Sequence, residues 1–217
     1  MRLPCRLGDA TPTSPIPPDF PVHGHLTLHP PADAQRDAVE QSIRDMYAQR
    51  YGALVPSFAP MLLALREGPH VLAAVGYRRA DAGALFLEQY LPAPVETVLA
   101  ARTGRPVARE GIVEVGNLAA PRGGEGRRLV QLLGPYLIGE GFDWVVGTVT
   151  QELRVMLERL GVAPLMLGPA VPEVLGPQAQ CWGSYYAHAP VVVAIHLRRA
   201  LRQFMTRRAR RAAGGRA

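Results

Sequence analysis

With 217 residues, 48% of them hydrophobic, the chain can bury a substantial core, and a typical domain length of about 150 residues favours one domain with extensions. The formal charge of +6 is unevenly placed: residues 196–217 hold eight arginines and no acid, whereas residues 1–195 hold 16 arginines against 18 acids. No apolar run reaches the roughly 18 residues of a membrane span, the Pro-broken start lacks a signal-peptide core, and Cys5 and Cys181 cannot form a disulfide framework, so a cytoplasmic protein with reduced thiols is expected.

Residues 1–21 contain six prolines and few large apolar side chains, which predicts a disordered leader. Val22 to Leu28 reads as a strand, and Asp33 to Tyr51 as a helix with Ala38, Ile43, Met46 and Tyr47 on its stripe. Met61 to Arg66, Val71 to Arg78 and Ala84 to Leu91 read as strands of an antiparallel meander, separated by Glu67-Gly68-Pro69 and Asp81-Ala82-Gly83. A short helix over Val95 to Arg102 precedes a strand over Gly111 to Ala119. The spacing of Leu129, Leu132, Leu133, Tyr136 and Leu137 predicts a helix over Arg127 to Glu140, kinked or split at Gly134-Pro135.

Phe142 to Thr150 is the next strand. Thr150 is placed to cap a helix carrying Leu153, Met156, Leu157 and Leu160, which ends at Gly161. Val162 to Leu167 and Tyr185 to Leu197 complete the strands. Antiparallel strands followed by β-α-β-α-β imply an α/β domain over residues 22–196, with a central mixed sheet flanked by helices. In the tail, residues 197–217, Leu197, Leu201, Phe204 and Met205 recur at helical spacing among arginines. A basic amphipathic helix of this kind suits an anionic membrane surface or an acidic carrier protein, and a frayed solvated end has the same composition. Nucleic acid is disfavoured because no aromatic platform or recognition module accompanies the charge.

The chemistry concentrates in Gly111 to Arg128: a strand, a glycine-rich turn and a helix start. Such a turn can aim the N–H groups of Gly124, Glu125, Gly126 and Arg127 at an anion such as pyrophosphate, or can serve only as a tight connection. Glu114, flanked by Val113 and Val115, is either a buried base of raised pKa or a partner for an arginine. Asn117 either orients substrate or binds irregular backbone. Tyr185 or Tyr186 can act as a proton donor, or can belong to core and rim. Glu88 and Tyr90, two apart on an expected strand, share one face and are candidates for an acceptor pocket. Thr148 and Thr150 share another near the cofactor cleft, each either a substrate-binding residue or only a strand former or helix cap, and Arg154 either grips a phosphate or sits on a solvated helix face. The histidines and cysteines have no metal-ligand spacing, so no metal site is expected.

The glycine-rich turn resembles the pyrophosphate loop of the GNAT superfamily, Arg/Gln-x-x-Gly-x-Gly/Ala. Gly124 and Gly126 match it, while Pro121 stands where Arg or Gln is usual and Arg122 follows one place later. The resemblance implies that Leu118, Ala119, Ala120, Arg122, Gly124, Glu125, Gly126 and Arg127 contact the pantetheine and phosphates of an acyl-CoA or acyl-phosphopantetheine donor. Glu114-Val-Gly-Asn117 and the stretch from Val149 to Gly161 are similar to acyl-homoserine lactone synthases, although those enzymes' determinants for S-adenosylmethionine are not recognisable.

Over residues 40–195 the chain resembles the thermostable hemolysin family, through Tyr51-Gly-Ala53, Gly76-Tyr-Arg78, Leu85 to Leu91, Ile112 to Ala119 and Trp182 to Tyr186. These resemblances imply an N-acyltransferase that moves a fatty acyl group from acyl-carrier protein or acyl-CoA to a small amine, with Glu114, Asn117 and Tyr185 as catalytic residues. Peripheral contact with the inner membrane through the tail is part of the same expectation. The alternative is a membrane-active hemolysin working through the basic tail. On that division, removing residues 197–217 should abolish lysis and leave acyl transfer largely intact.

Overall fold

The computed structural model describes residues 24–214, so the expected leader lies outside the described residues. Seven strands form one mixed sheet in the order β1-β2-β3-β4-β5-β7-β6. They are β1 (His25–His29), β2 (Met61–Glu67), β3 (His70–Arg79), β4 (Ile112–Ala119), β5 (Trp144–Val149), β6 (Leu165–Pro169) and β7 (Val191–His196). Only β4 and β5 pair in parallel; every other neighbouring pair is antiparallel.

Alternation along the strands sorts the core onto two faces. Val113 packs with Leu129, Leu133 and Leu137 of helix α3 (Gly123–Gly139) and with Phe142. Its neighbour Ile112 points the other way, to Val95 and Leu99 of α2 (Val95–Thr103). Helix α1 (Arg36–Tyr51) places Val39, Ile43, Tyr47 and Tyr51 over Leu62, Ala64, Ala74 and Ala119. Helix α4 (Gln151–Leu160) is capped by Thr150, whose hydroxyl accepts the Leu153 N–H, and it ends at Gly161 in the left-handed conformation.

Three expected elements differ. The segment Ala84 to Leu91 is not a strand but contains a 3-10 helix, Phe86–Tyr90. Glu88 folds back to accept the N–H groups of Leu85 and Val95 and to pair with Arg109, so local backbone bonds replace a sheet ladder. Helix α3 runs through Gly134-Pro135 unbroken, and the missing Pro135 N–H leaves the Gln131 carbonyl without its helical donor. The last long strand begins only at Val191, because Tyr185–His188 form a 3-10 helix closed by Ala189 at φ 46°. The tail continues β7 directly as helix α5 (Leu197–Gly214), whose first residue is buried in the α3 core cluster.

Glu88 is a structural anchor and lies apart from the cleft. Burial raises its pKa, but the hydrogen bonds from Arg109, Val95 and Leu85 outweigh it and bring the value down to about 2. Its contribution to stability is therefore full above the ordinary carboxylate value of 4.5 and disappears as pH falls toward 2. Glu88→Ala leaves the Leu85 and Val95 N–H groups without their acceptor, while Arg109 keeps Glu96 and the Ala80 and Gly83 carbonyls, and should cost about 1–3 kcal/mol. Urea denaturation should show that loss near neutral pH and a smaller difference between variant and parent in strong acid.

Candidate active site

The ladder between β4 and β5 covers only Ile112 to Glu114 opposite Trp144 to Val146. Beyond that point β5 continues along β7 to Val149, while β4 follows β3, so the two parallel strands splay apart. The splay leaves the facing backbone edges of Val115 to Leu118 and Gly147 to Val149 without ladder partners. At its apex a Cβ on Gly147 would lie 2.6 Å from the Val115 carbonyl oxygen, so only glycine allows the strands to meet there. Gly147→Ala should push the apex open and lower stability by about 1–3 kcal/mol, as measured by urea denaturation; unchanged stability would show that the strands can part there without cost.

A cleft of about 630 Å³ passes through this gap. On the α1 side it is walled by Tyr47, Tyr51, Phe86, Tyr90, Trp182, Tyr185 and Tyr186, and on the α3–α4 side by aliphatic residues. The aromatic rings form one connected set: Tyr185 meets Tyr51, Trp182 and Tyr186 at centroid distances of 5.3, 5.7 and 5.4 Å, and Trp182 meets Phe86 at 5.9 Å. The indole N–H of Trp182 is buried with no acceptor among the described residues.

Glu114 sits where the strands part and lines the cleft at 9% exposure. One carboxylate oxygen accepts the Phe86 N–H (3.0 Å) and the other the Leu87 N–H (2.8 Å), so the 3-10 helix grips the group from behind. Burial raises its pKa; the two amides and the Arg78 guanidinium oppose that rise without cancelling it. Glu114 has no ion pair with an arginine among the described residues.

Asn117 occupies the left-handed region, φ 51°, at a bulge where three steps of β4 oppose two of β3. Asn is among the few residues that tolerate this conformation. Its Oδ1 accepts the Ala59 N–H at 3.0 Å, and Arg36 holds the Ala59 and Pro60 carbonyls, so the segment over residues 57–59 is pinned along the cleft. The amide thus serves irregular backbone while the residue remains part of the wall.

Tyr185 donates to the Thr148 carbonyl at 3.4 Å, which brings its hydroxyl to the β5 side of the splay. Burial, followed by the neighbouring phenols, raises its pKa well above the ordinary tyrosine value, so it keeps its proton. Tyr186 and Tyr90 share a 2.6 Å hydroxyl contact, and both line the cleft. Tyr90 and Glu88, expected on one face, are separated by the 3-10 helix: Tyr90 reaches the cleft and Glu88 faces Arg109.

Thr148 and Thr150 line the cleft, Thr150 also as the α4 cap. Arg50 and Glu152 pair at its mouth beside His188.

The glycine-rich turn leads into α3, whose first turn opens on the cleft through Gly123, Gly126 and Arg127. Arg122 is the N-cap; its carbonyl accepts the N–H groups of both Glu125 and Gly126, and its own N–H donates to the Glu125 carboxylate. The Glu125 and Gly126 amides are therefore engaged, and the helix presents the earlier amides, Gly123 and Gly124, at its positive end. The Arg122 side chain is 83% exposed and makes only a 3.6 Å approach to Glu125. Gly126 packs on Ala120, where a Cβ would lie 3.0 Å away.

Leu118 and Ala120 line the cleft, but Ala119 does not. It pairs with Ala74 and is buried under α1, because alternation turns it to the other face of β4. Sequence reasoning missed Gly123, Val130, Arg78, Trp182 and the α5 residues Leu201 and Phe204 as parts of the wall. The helical spacing of the tail marked an apolar stripe, without showing that it faced the protein.

A V-shaped opening between two parallel strands, a glycine-rich turn and a helix start beside it define a GNAT-like fold, and solved structures agree. FeeM, an N-acyl amino acid synthase from uncultured soil microbes, is 16% identical with a TM-score of 0.55, covering 83% of this chain and 94% of FeeM. The CoA-dependent acyl-homoserine lactone synthase BjaI, solved with SAM and isopentyl-CoA, is 13% identical with a TM-score of 0.58, covering 85% and 89%. The acyl-homoserine lactone synthase LasI is 13% identical with a TM-score of 0.53, covering 80% and 91%.

The chain belongs to the thermostable hemolysin family, whose family model matches residues 29–201. None of the curated proteins matches it.

Proposed function

We propose that the protein is an N-acyltransferase that moves a fatty acyl group from acyl-carrier protein or acyl-CoA to a small amine. The observation that carries this reading is the splay itself, with a buried carboxylate of raised pKa at its apex, free amides of a helix start beside it and an apolar cleft running through it. Unpaired strand edges suit the amide groups of a pantetheine arm, and the Gly123 and Gly124 amides with Arg127 suit its phosphate.

In the proposed reaction the acceptor amine attacks the thioester carbonyl carbon. A C–N bond forms, the amine proton passes to Glu114, and the C–S bond breaks. The leaving thiolate takes a proton from Tyr185, which regains one as Glu114 gives up the proton it took through solvent, so an amide and a free thiol result and both residues return to their starting states. Asn117 keeps the β4 bulge and the segment over residues 57–59 in place beside the reacting centre.

Mass spectrometry of lipids from cells expressing the protein, with and without Glu114→Gln, tests the reading. An acyl amide present with the parent protein and missing with the variant supports it; identical lipid profiles overturn it. The tail-driven hemolysin reading has less support, since Leu197, Leu201 and Phe204 turn toward the protein and not toward a membrane. Among the described residues no helix is long and apolar enough to cross a membrane.

A further inference from the structure

Helix α5 is fixed at two points. At its start the Leu197 N–H donates to the Asp143 carbonyl (2.8 Å) and Leu197 packs into the α3 cluster. Ten residues on, Arg207 donates to the Glu158 carbonyl (3.0 Å), and its side-chain stem lies against Gly161, at the last turn of α4. Between these clamps the helix bridges the C-terminal ends of α3 and α4, and Ala200, Leu201 and Phe204 face the cleft while Met205 faces solvent.

The position of this bridge relative to the reacting centre follows from the sheet. β4 and β5 run parallel, so the glycine-rich turn after β4 and the Thr150 cap after β5 lie at one end of the strands. Residue Trp144, paired with His196 just before α5, lies at the other. A strand of six residues spans about 20 Å. A chain that enters the gap beside the turn and passes Glu114 runs along aliphatic Val145, Val193 and Leu137 toward α5.

We propose that α5 is the end wall of the acyl-chain pocket and that Phe204, with Leu201, sets the length of chain it accepts. This inference rests on the N-acyltransferase reading for the identity of the chain. The wall is made of apolar side chains at the point where the cleft meets α5, and each methylene that reaches fresh apolar surface adds about fourfold in affinity until the wall is met. A large ring at that wall stops the series, and a small side chain lets it continue.

Calorimetric titration of the full-length protein with straight-chain saturated fatty acids, hexanoic to hexadecanoic, tests this without turnover. The parent should show one preferred length. Phe204→Ala should move the preference to longer acids, with about fourfold tighter binding for each methylene that enters the vacated space. Phe204→Trp should move it to shorter ones. Met205→Ala, on the exposed side of the same helix, should leave it unchanged and controls for loosening of α5. The same preferred length in all the proteins, or no binding of any acid by the folded parent, overturns the inference. Preferences that move as expected, in a protein that makes no acyl amide, retain the wall and discard the transferase. Acyl amides whose length distribution ignores both Phe204 variants do the reverse.

Discussion

Glu114→Gln should lower the acyl-transfer rate about 10²- to 10⁴-fold, the range associated with loss of a positioned general base. The variant keeps the shape of the side chain but cannot take the amine proton. It also turns an NH2 group toward one of the two backbone donors, Phe86 or Leu87, that the carboxylate now satisfies. That mismatch should cost about 1–3 kcal/mol of stability, which chemical denaturation measures separately from rate.

The pH dependence is a second signature of the same group. With Glu114 as the proposed base, transfer needs its ionised form, so the rate should fall as pH drops through a pKa that burial holds above the ordinary carboxylate value. The opposite sign applies to stability. A carboxyl whose pKa is raised on folding binds its proton more tightly in the native state, so this group's effect on stability weakens the fold as pH rises through the same window. A rate profile in which the acid limb persists in Glu114→Gln would assign the base to another residue.

Removal of residues 197–217 should abolish transfer and destabilise the domain by at least about 3 kcal/mol, with the loss visible in thermal unfolding. This reverses the expectation drawn from composition, in which the tail was separable. Leu197 is 5% exposed within the α3 cluster, and Leu201 and Phe204 line the cleft, so truncation strips a core residue and exposes the aliphatic wall opposite. Replacing the exposed Arg198, Arg199 and Arg202 by glutamine should leave the fold intact and separates the charge of the helix from its packing. Normal stability and transfer after truncation would show that α5 is an accessory.

The element types were largely legible from the sequence because most of them depend on local pattern. The Thr150 cap, the i, i+3, i+4, i+7 spacing of α4 and the Gly161 stop are all local signals, and α4 forms as they direct. The apolar runs that became β2 and β3 similarly carry their turn between them. Failures fell where a distant partner overrode the pattern. Ala84 to Leu91 has strand-like composition, yet Arg109 draws Glu88 into a local turn. Tyr185 to Pro190 reads as the start of a strand, but the close pairing of Ser184 with the Tyr51 carbonyl redirects it.

For the site, the glycine-rich turn after a strand, the acid at Glu114 and the family to which these motifs point were legible from the residues alone, since each is a short contiguous string. Contacts across the fold settled which amides remain free at the helix start, that Ala119 faces the core and Ala120 the cleft, that Glu88 is an anchor, and that the basic tail lines the cleft. Those outcomes depend on which carbonyls, carboxylates and apolar faces meet across the fold. A residue pattern fixes the side of its own helix or strand on which a group lies, and packing alone fixes what that side meets.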